Sequence, residues 1–181
     1  MQRASLLPSR QPTAGTAHAS LIGMTFAMLA GLAARDIPSS AQASPLRGTW
    51  ILVAADKLLP GGAAARDYGE QPKGRLIVDA QGHYSLQIFK SERLRFATDS
   101  KADGSADEFK SAVMGSSTHY GTVTIDREDN LLVFAIEGAS FPNWEGTVQR
   151  RQYRLEGGEL SYQVPPRPDG SIPISVWRRI D

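Results

Sequence analysis

GTVQRRQYRLEGGELSYQV, Gly146 to Val164, is the stretch on which the fold turns. Two runs of strand-forming residues flank Gly157-Gly158, a dipeptide that supplies the positive φ values of a tight two-residue hairpin. Alternation in the first run sets Thr147, Gln149, Arg151, Tyr153 and Leu155 on one face. Val148, Arg150, Gln152 and Arg154 fall on the other. The spacing predicts an antiparallel pair over 146–155 and 159–164.

The same punctuation recurs in both directions. LLVFAIE (131–137) and THYGTVTID (118–126) flank the turn 127–130. HYSLQIF (83–89) alternates Tyr84, Leu86 and Ile88 against His83, Ser85 and Gln87, and the turn Ala80-Gln81-Gly82 links it to RLIVD (75–79). GTWILVAAD (48–56) precedes this group, and a run over 172–180 ends the chain. The count is eight, which closes an up-and-down barrel with room for side chains or one small ligand. Only 90–117 breaks the pattern. There Ser105 and Glu108 form a capping box ahead of Phe109 and Val113, which share one helical face. This predicts a helix over 106–114 between the third and fourth strands. It acts either as a lid over one barrel end or as a satellite on the outer wall.

Composition narrows the function classes. The chain has 181 residues, with 20 Lys+Arg against 19 Asp+Glu, and no cysteine. A thiol nucleophile, a disulfide scaffold and Cys-ligated metal sites are excluded. A formal charge of +1 gives no electrostatic case for nucleic acid or an anionic membrane. The arginines at 150, 151, 154, 178 and 179 are split by alternation across both faces of their strands. They form no basic stripe.

The N-terminus reads as an address. Arg3 and Arg10 precede the apolar run LIGMTFAMLAGLAA (21–34), too short for a membrane span of about 20 residues. Ala41-Gln42-Ala43 supplies small residues for signal peptidase. The reading is a secretory signal over 1–43, cut after Ala43, and a single domain over 44–181. It implies export to the periplasm without stable membrane insertion. The leader carries the positive excess, leaving the mature chain at a charge of about −1.

Gly48-Thr49-Trp50 is the G-x-W signature of calycins, and Trp177-Arg178-Arg179 places arginine where lipocalins lay one across that tryptophan. Pro72-Lys73-Gly74-x-Leu76, Gly82-His83-Tyr84-Ser85, Tyr120-Gly121-Thr122 and the segment from Glu137-Gly138 through Phe141-Pro142-Asn143-Trp144 to Arg151 extend the match. Over 46–179 the chain resembles the bacterial and fungal lipocalin-like domain family. The resemblance implies an all-β, eight-stranded antiparallel calycin-like barrel, with Trp50, Arg178 and Arg179 closing its bottom. It names no ligand. The chain departs from the family where a His pair is expected before the Glu-Gly step, having Phe134-Ala135 instead.

The candidate ligand-binding residues are Arg151, Gln149, Tyr84, Trp144 and Tyr120. An inward Arg151 needs a counter-charge. Either Glu137 pairs with it or a ligand carboxylate or enolate does. Phe141-Pro142-Asn143-Trp144 is either a mouth loop with Trp144 as a pocket wall or a plug. His83 and His119 lack metal-ligand spacing, and each reads first as a hydrogen-bonded or solvated packing residue. No phosphate loop or G-x-S-x-G is present.

The function expected is binding of a small, mainly apolar or amphipathic molecule in the lumen, without cofactor or metal. An alternative is a cofactor-independent cyclase or isomerase with Tyr84, His119 and Glu137 as its acid–base set. A third is a filled barrel that acts through its surface. The oligomeric state is not legible in the sequence.

Overall fold

The structure, a computed structural model, describes residues 44–181, and the expected leader with its cut after Ala43 lies outside them. Nine strands form one antiparallel sheet: β1 (Gly48–Leu58), β2 (Ala64–Arg66), β3 (Lys73–Val78), β4 (His83–Phe89), β5 (Ser116–Asp126), β6 (Leu131–Ala139), β7 (Val148–Glu156), β8 (Glu159–Gln163) and β9 (Ile172–Arg179). β9 pairs back onto β1, with Trp50 opposite Arg179 and Leu52 opposite Trp177. Closure leaves no open edge among the eight barrel staves. The eight expected strands are the eight barrel staves. β2 is an addition, three residues that fold back on Asp56–Leu58. It sits in a loop with no hydrophobic period to signal it.

Gly157 and Gly158 turn β7 into β8 at φ 55° and 82°, the hairpin geometry their sequence requires. Alternation then decides what lies inside. Arg151 is buried with Leu76, Val78, Tyr84, Leu86, Ile88, Leu132, Phe134, Ile136, Leu160, Tyr162 and Trp177, while Arg150 and Arg154 face solvent. A bulge at Val53 shifts the parity of β1, so Leu52 and Ala55 both point inward and Val53 stays exposed.

The two ends differ. Short connections at 79–82, 127–130 and 157–158 lie at one end with the start of β1 and the finish of β9. That end is sealed. Trp50 is fully buried and donates through Nε1 to the Leu46 carbonyl at 2.9 Å, and the Arg179 guanidinium lies 4.4 Å from its ring. Arg179 also donates to the Pro45 carbonyl. Arg178 points the other way, into solvent, because neighbours on a strand face opposite sides. Of the three residues expected to close this end, Trp50 and Arg179 do so and Arg178 does not.

Long connections at 59–72, 90–115, 140–147 and 164–171 crowd the opposite end, the mouth. Helix α1 (Ala106–Met114) lies in the second of these, with the predicted capping box formed by Ser105 and Glu108. It is a satellite rather than a lid. Phe109 and Val113 are 42% and 56% exposed, and Phe109 packs edge-on against Phe96 of its own connection.

Candidate functional site

Inside the mouth is a cavity of about 230 Å³. β4 contributes Leu86 and Ile88, β5 His119, β7 Gln149 and Arg151, β8 Tyr162, and β9 Ser175. Trp144, held in a short 3-10 turn after β6, supplies part of the wall and meets His119 edge-on at 6.1 Å. It lines the pocket, while Phe141 beside it is exposed.

The polar centre is a chain of four side chains, Gln149, Arg151, His119 and Tyr84. Arg151 Nη2 donates to His119 Nε2 at 3.2 Å and to Gln149 Oε1 at 2.7 Å. His119 Nδ1 lies 2.7 Å from the Tyr84 hydroxyl. Guanidinium has no lone pair to offer, so Nε2 is the acceptor and the histidine proton sits on Nδ1. Nδ1–H therefore donates to Tyr84, whose own O–H remains a donor. Burial, with the Arg151 charge adding to it, pushes the His119 pKa down to about 3. The imidazole is neutral. Burial likewise raises the Tyr84 phenol above its ordinary value.

Arg151 is only 5% exposed, and among the described residues no carboxylate oxygen lies within 4.0 Å of it. Its charge is met instead by aromatic faces, Phe134 at 4.3 Å and Tyr162 at 5.0 Å. Its Nε has no hydrogen-bond partner, and neither has the Tyr162 hydroxyl.

Glu137 is not its counter-ion. β6 carries a bulge there: Tyr120 is opposite Gly138 and Gly121 opposite Ile136, leaving Glu137 as the extra residue. Glu137 follows the inward Ile136, so alternation turns its carboxylate into solvent. The acid–base set of Tyr84, His119 and Glu137 is consequently not assembled, although Tyr84 and His119 do meet. Tyr120 is displaced as well. It follows the inward His119, so it stands on the outer wall, 55% exposed.

Several pocket residues carried no sequence signal. At the mouth, Asp67 accepts from Arg167 through both oxygens, at 2.6 and 3.2 Å, and Lys57 stands 3.4 Å away. Burial pushes the Asp67 carboxyl up, but its hydrogen bond and charge contact with Arg167 outweigh this, and Lys57 adds to them. The net shift is downward. Asp67 and Arg167 are 100 positions apart, with nothing local to connect them. Tyr162 was accessible to reasoning, since it shares the inward parity of Leu160. Among the described residues no group of three or more His, Asp or Glu side chains is placed to hold a metal.

A family model described as a lipocalin-like domain matches residues 47–180. No curated protein and no solved structure gives a significant match. The match spans every stave of the barrel, from the G-x-W strand to the arginine that covers its tryptophan. The chain belongs to the lipocalin-like domain family.

Proposed function

We propose that this protein binds a small, mainly apolar molecule in the barrel lumen and receives its polar end at Arg151. Lipocalin-like barrels suit small-ligand binding in general. The observation that carries the finer reading is the state of Arg151: buried, without a carboxylate partner, and part of the cavity lining. A buried charge held this way is costly unless something completes its coordination. Binding is favoured over acid–base catalysis because both nitrogens of His119 are engaged and its pKa lies far from neutrality. The N-terminal leader supports export to the periplasm before binding, and the mass of the mature protein checks the cut after Ala43.

Native mass spectrometry of the purified protein tests the binding. A co-purifying small molecule is expected, and Arg151→Met, which keeps the side-chain bulk, is expected to lose it. Retention of the same molecule by the variant overturns the assignment of Arg151.

A further inference from the structure

Arg151 fixes the direction of a second side chain. Its Nη2 donates to Gln149 at 2.7 Å, and a guanidinium has no lone pair, so the amide atom that faces it is Oε1. Gln149 Nε2 is thereby turned away from Arg151 with two N–H groups to give. Among the described residues it makes no hydrogen bond, and it is not sealed from access either. The buried side-chain atoms without a partner are Asp56 Oδ1, Arg151 Nε, the Tyr162 hydroxyl and Trp177 Nε1. Gln149 is half-buried, lines the cavity and stands one inward position nearer the mouth than Arg151. Its amide nitrogen is therefore a donor open to the lumen. The bond from Arg151 also draws electron density towards Oε1 and strengthens those N–H groups as donors.

The formal charges around the cavity cancel. Arg151 and Arg167 line it together with Asp56 and Asp67, and His119 is neutral. An entering anion meets no net positive charge and loses its hydration. A neutral carbonyl loses far less. Its oxygen needs only donors, whereas an alcohol must also place a proton. Leu86, Ile88 and Trp144 supply apolar wall for the remainder of the molecule. At the roughly 30 Å³ that a water molecule occupies in the liquid, a cavity of about 230 Å³ suits a compact one.

We propose that the lumen takes a compact neutral carbonyl compound, a ketone, ester or amide, whose oxygen accepts from Gln149 Nε2. Arg151 is the residue that positions this amide. This rests on the reading that the polar end is received at Arg151, and adds the group presented there and the ligand class it selects.

Titration calorimetry of the purified protein with acetophenone, ethylbenzene and benzoate tests it, three compounds with one ring and different heads. Acetophenone is expected to bind about fivefold more tightly than ethylbenzene, the effect of one neutral hydrogen bond, and at least as tightly as benzoate. Gln149→Glu keeps an acceptor for Arg151 and replaces the N–H groups with oxygen. It should abolish the preference for acetophenone while ethylbenzene binds as before, which also shows the barrel intact. Arg151→Met frees the amide and should narrow the preference. Acetophenone no tighter than ethylbenzene in the parent protein overturns the carbonyl class, and a preference that survives Gln149→Glu overturns the assignment of Gln149. A preference undiminished in Arg151→Met overturns the positioning role. Benzoate binding more tightly than acetophenone overturns the neutral class and leaves the broader reading of Arg151 standing. Failure of all three to bind overturns the proposal, and loss of a co-purifying molecule in Arg151→Met then still supports the broader reading.

Discussion

Arg151 decides which nitrogen of His119 carries the proton. The 3.2 Å contact from Nη2 to Nε2 admits only the Nδ1–H tautomer, and the 2.7 Å contact to Tyr84 then runs from histidine to phenol. A second proton on this ring would put a cation against a buried cation. Desolvation and repulsion oppose it together.

That opposition makes stability depend on pH. The folded pKa of His119, about 3, lies below the unfolded value of 6.5, so the unfolded chain takes up the proton first as pH falls. The contribution is fully present above pH 6.5 and is lost on the way down towards pH 3. The slope is about 1.4 kcal/mol per pH unit once pH is well below 6.5. Asp67 and Glu108 are also depressed, but from carboxylate values of 3.8 and 4.5, so the window between 6.5 and 4.5 belongs to His119. Urea unfolding at pH 7, 6 and 5 should show declining stability, and His119→Phe should flatten the decline. An equal slope in that variant assigns the effect to another group.

At the sealed end, the two adjacent arginines should behave differently. Arg179→Ala removes a guanidinium stacked on buried Trp50 and a donor to Pro45, and should cost about 1–2 kcal/mol. Arg178→Ala, on the exposed face, should stay within about 0.5 kcal/mol. Chemical denaturation midpoints measure both. Equal costs would mean that Arg179 gains nothing from the ring.

Asp67→Asn should loosen the mouth. It removes the charge that holds Arg167 and Lys57 together and leaves two cations facing each other. The expected readout is faster release of a bound ligand in stopped-flow, with the barrel fold unchanged by circular dichroism. Unchanged release places the rate-limiting barrier elsewhere.

Ser105→Ala breaks one half of the capping box of α1, the bond from Glu108 N–H to the serine hydroxyl. Loss of such a cap costs about 1 kcal/mol. Because the helix is a satellite, hydrogen exchange should quicken in 106–114 and not in the barrel strands. Acceleration spread across the sheet would tie the helix to barrel stability.

The barrel was legible because its signals are local. Period-two alternation, turn dipeptides and a capping box each need only a few consecutive residues, and all eight staves and the helix follow from them. The inward face of β7 was read the same way, and it placed Gln149 and Arg151 in the cavity. Glu137 and Tyr120 lie outside the cavity for a reason that is itself local: each follows an inward residue, Ile136 and His119, so alternation points it outward. What is not legible is the non-local part. Asp67 and Arg167 are 100 positions apart and meet only when their two loops fold together.

The chain also meets itself at the sealed end. Thr49 N–H bonds the Asp181 carboxylate at 2.9 Å, and Ile180 N–H bonds the Thr49 carbonyl at 3.0 Å. The first and last staves thus finish side by side, on the side away from the opening. In a variant reduced to residues 44–181, a short linker from Asp181 back to Ser44 would turn the domain into a ring, which makes it a natural candidate for circular permutation. For the same reason, tethering the C-terminus to a sensor surface points every mouth towards the solution.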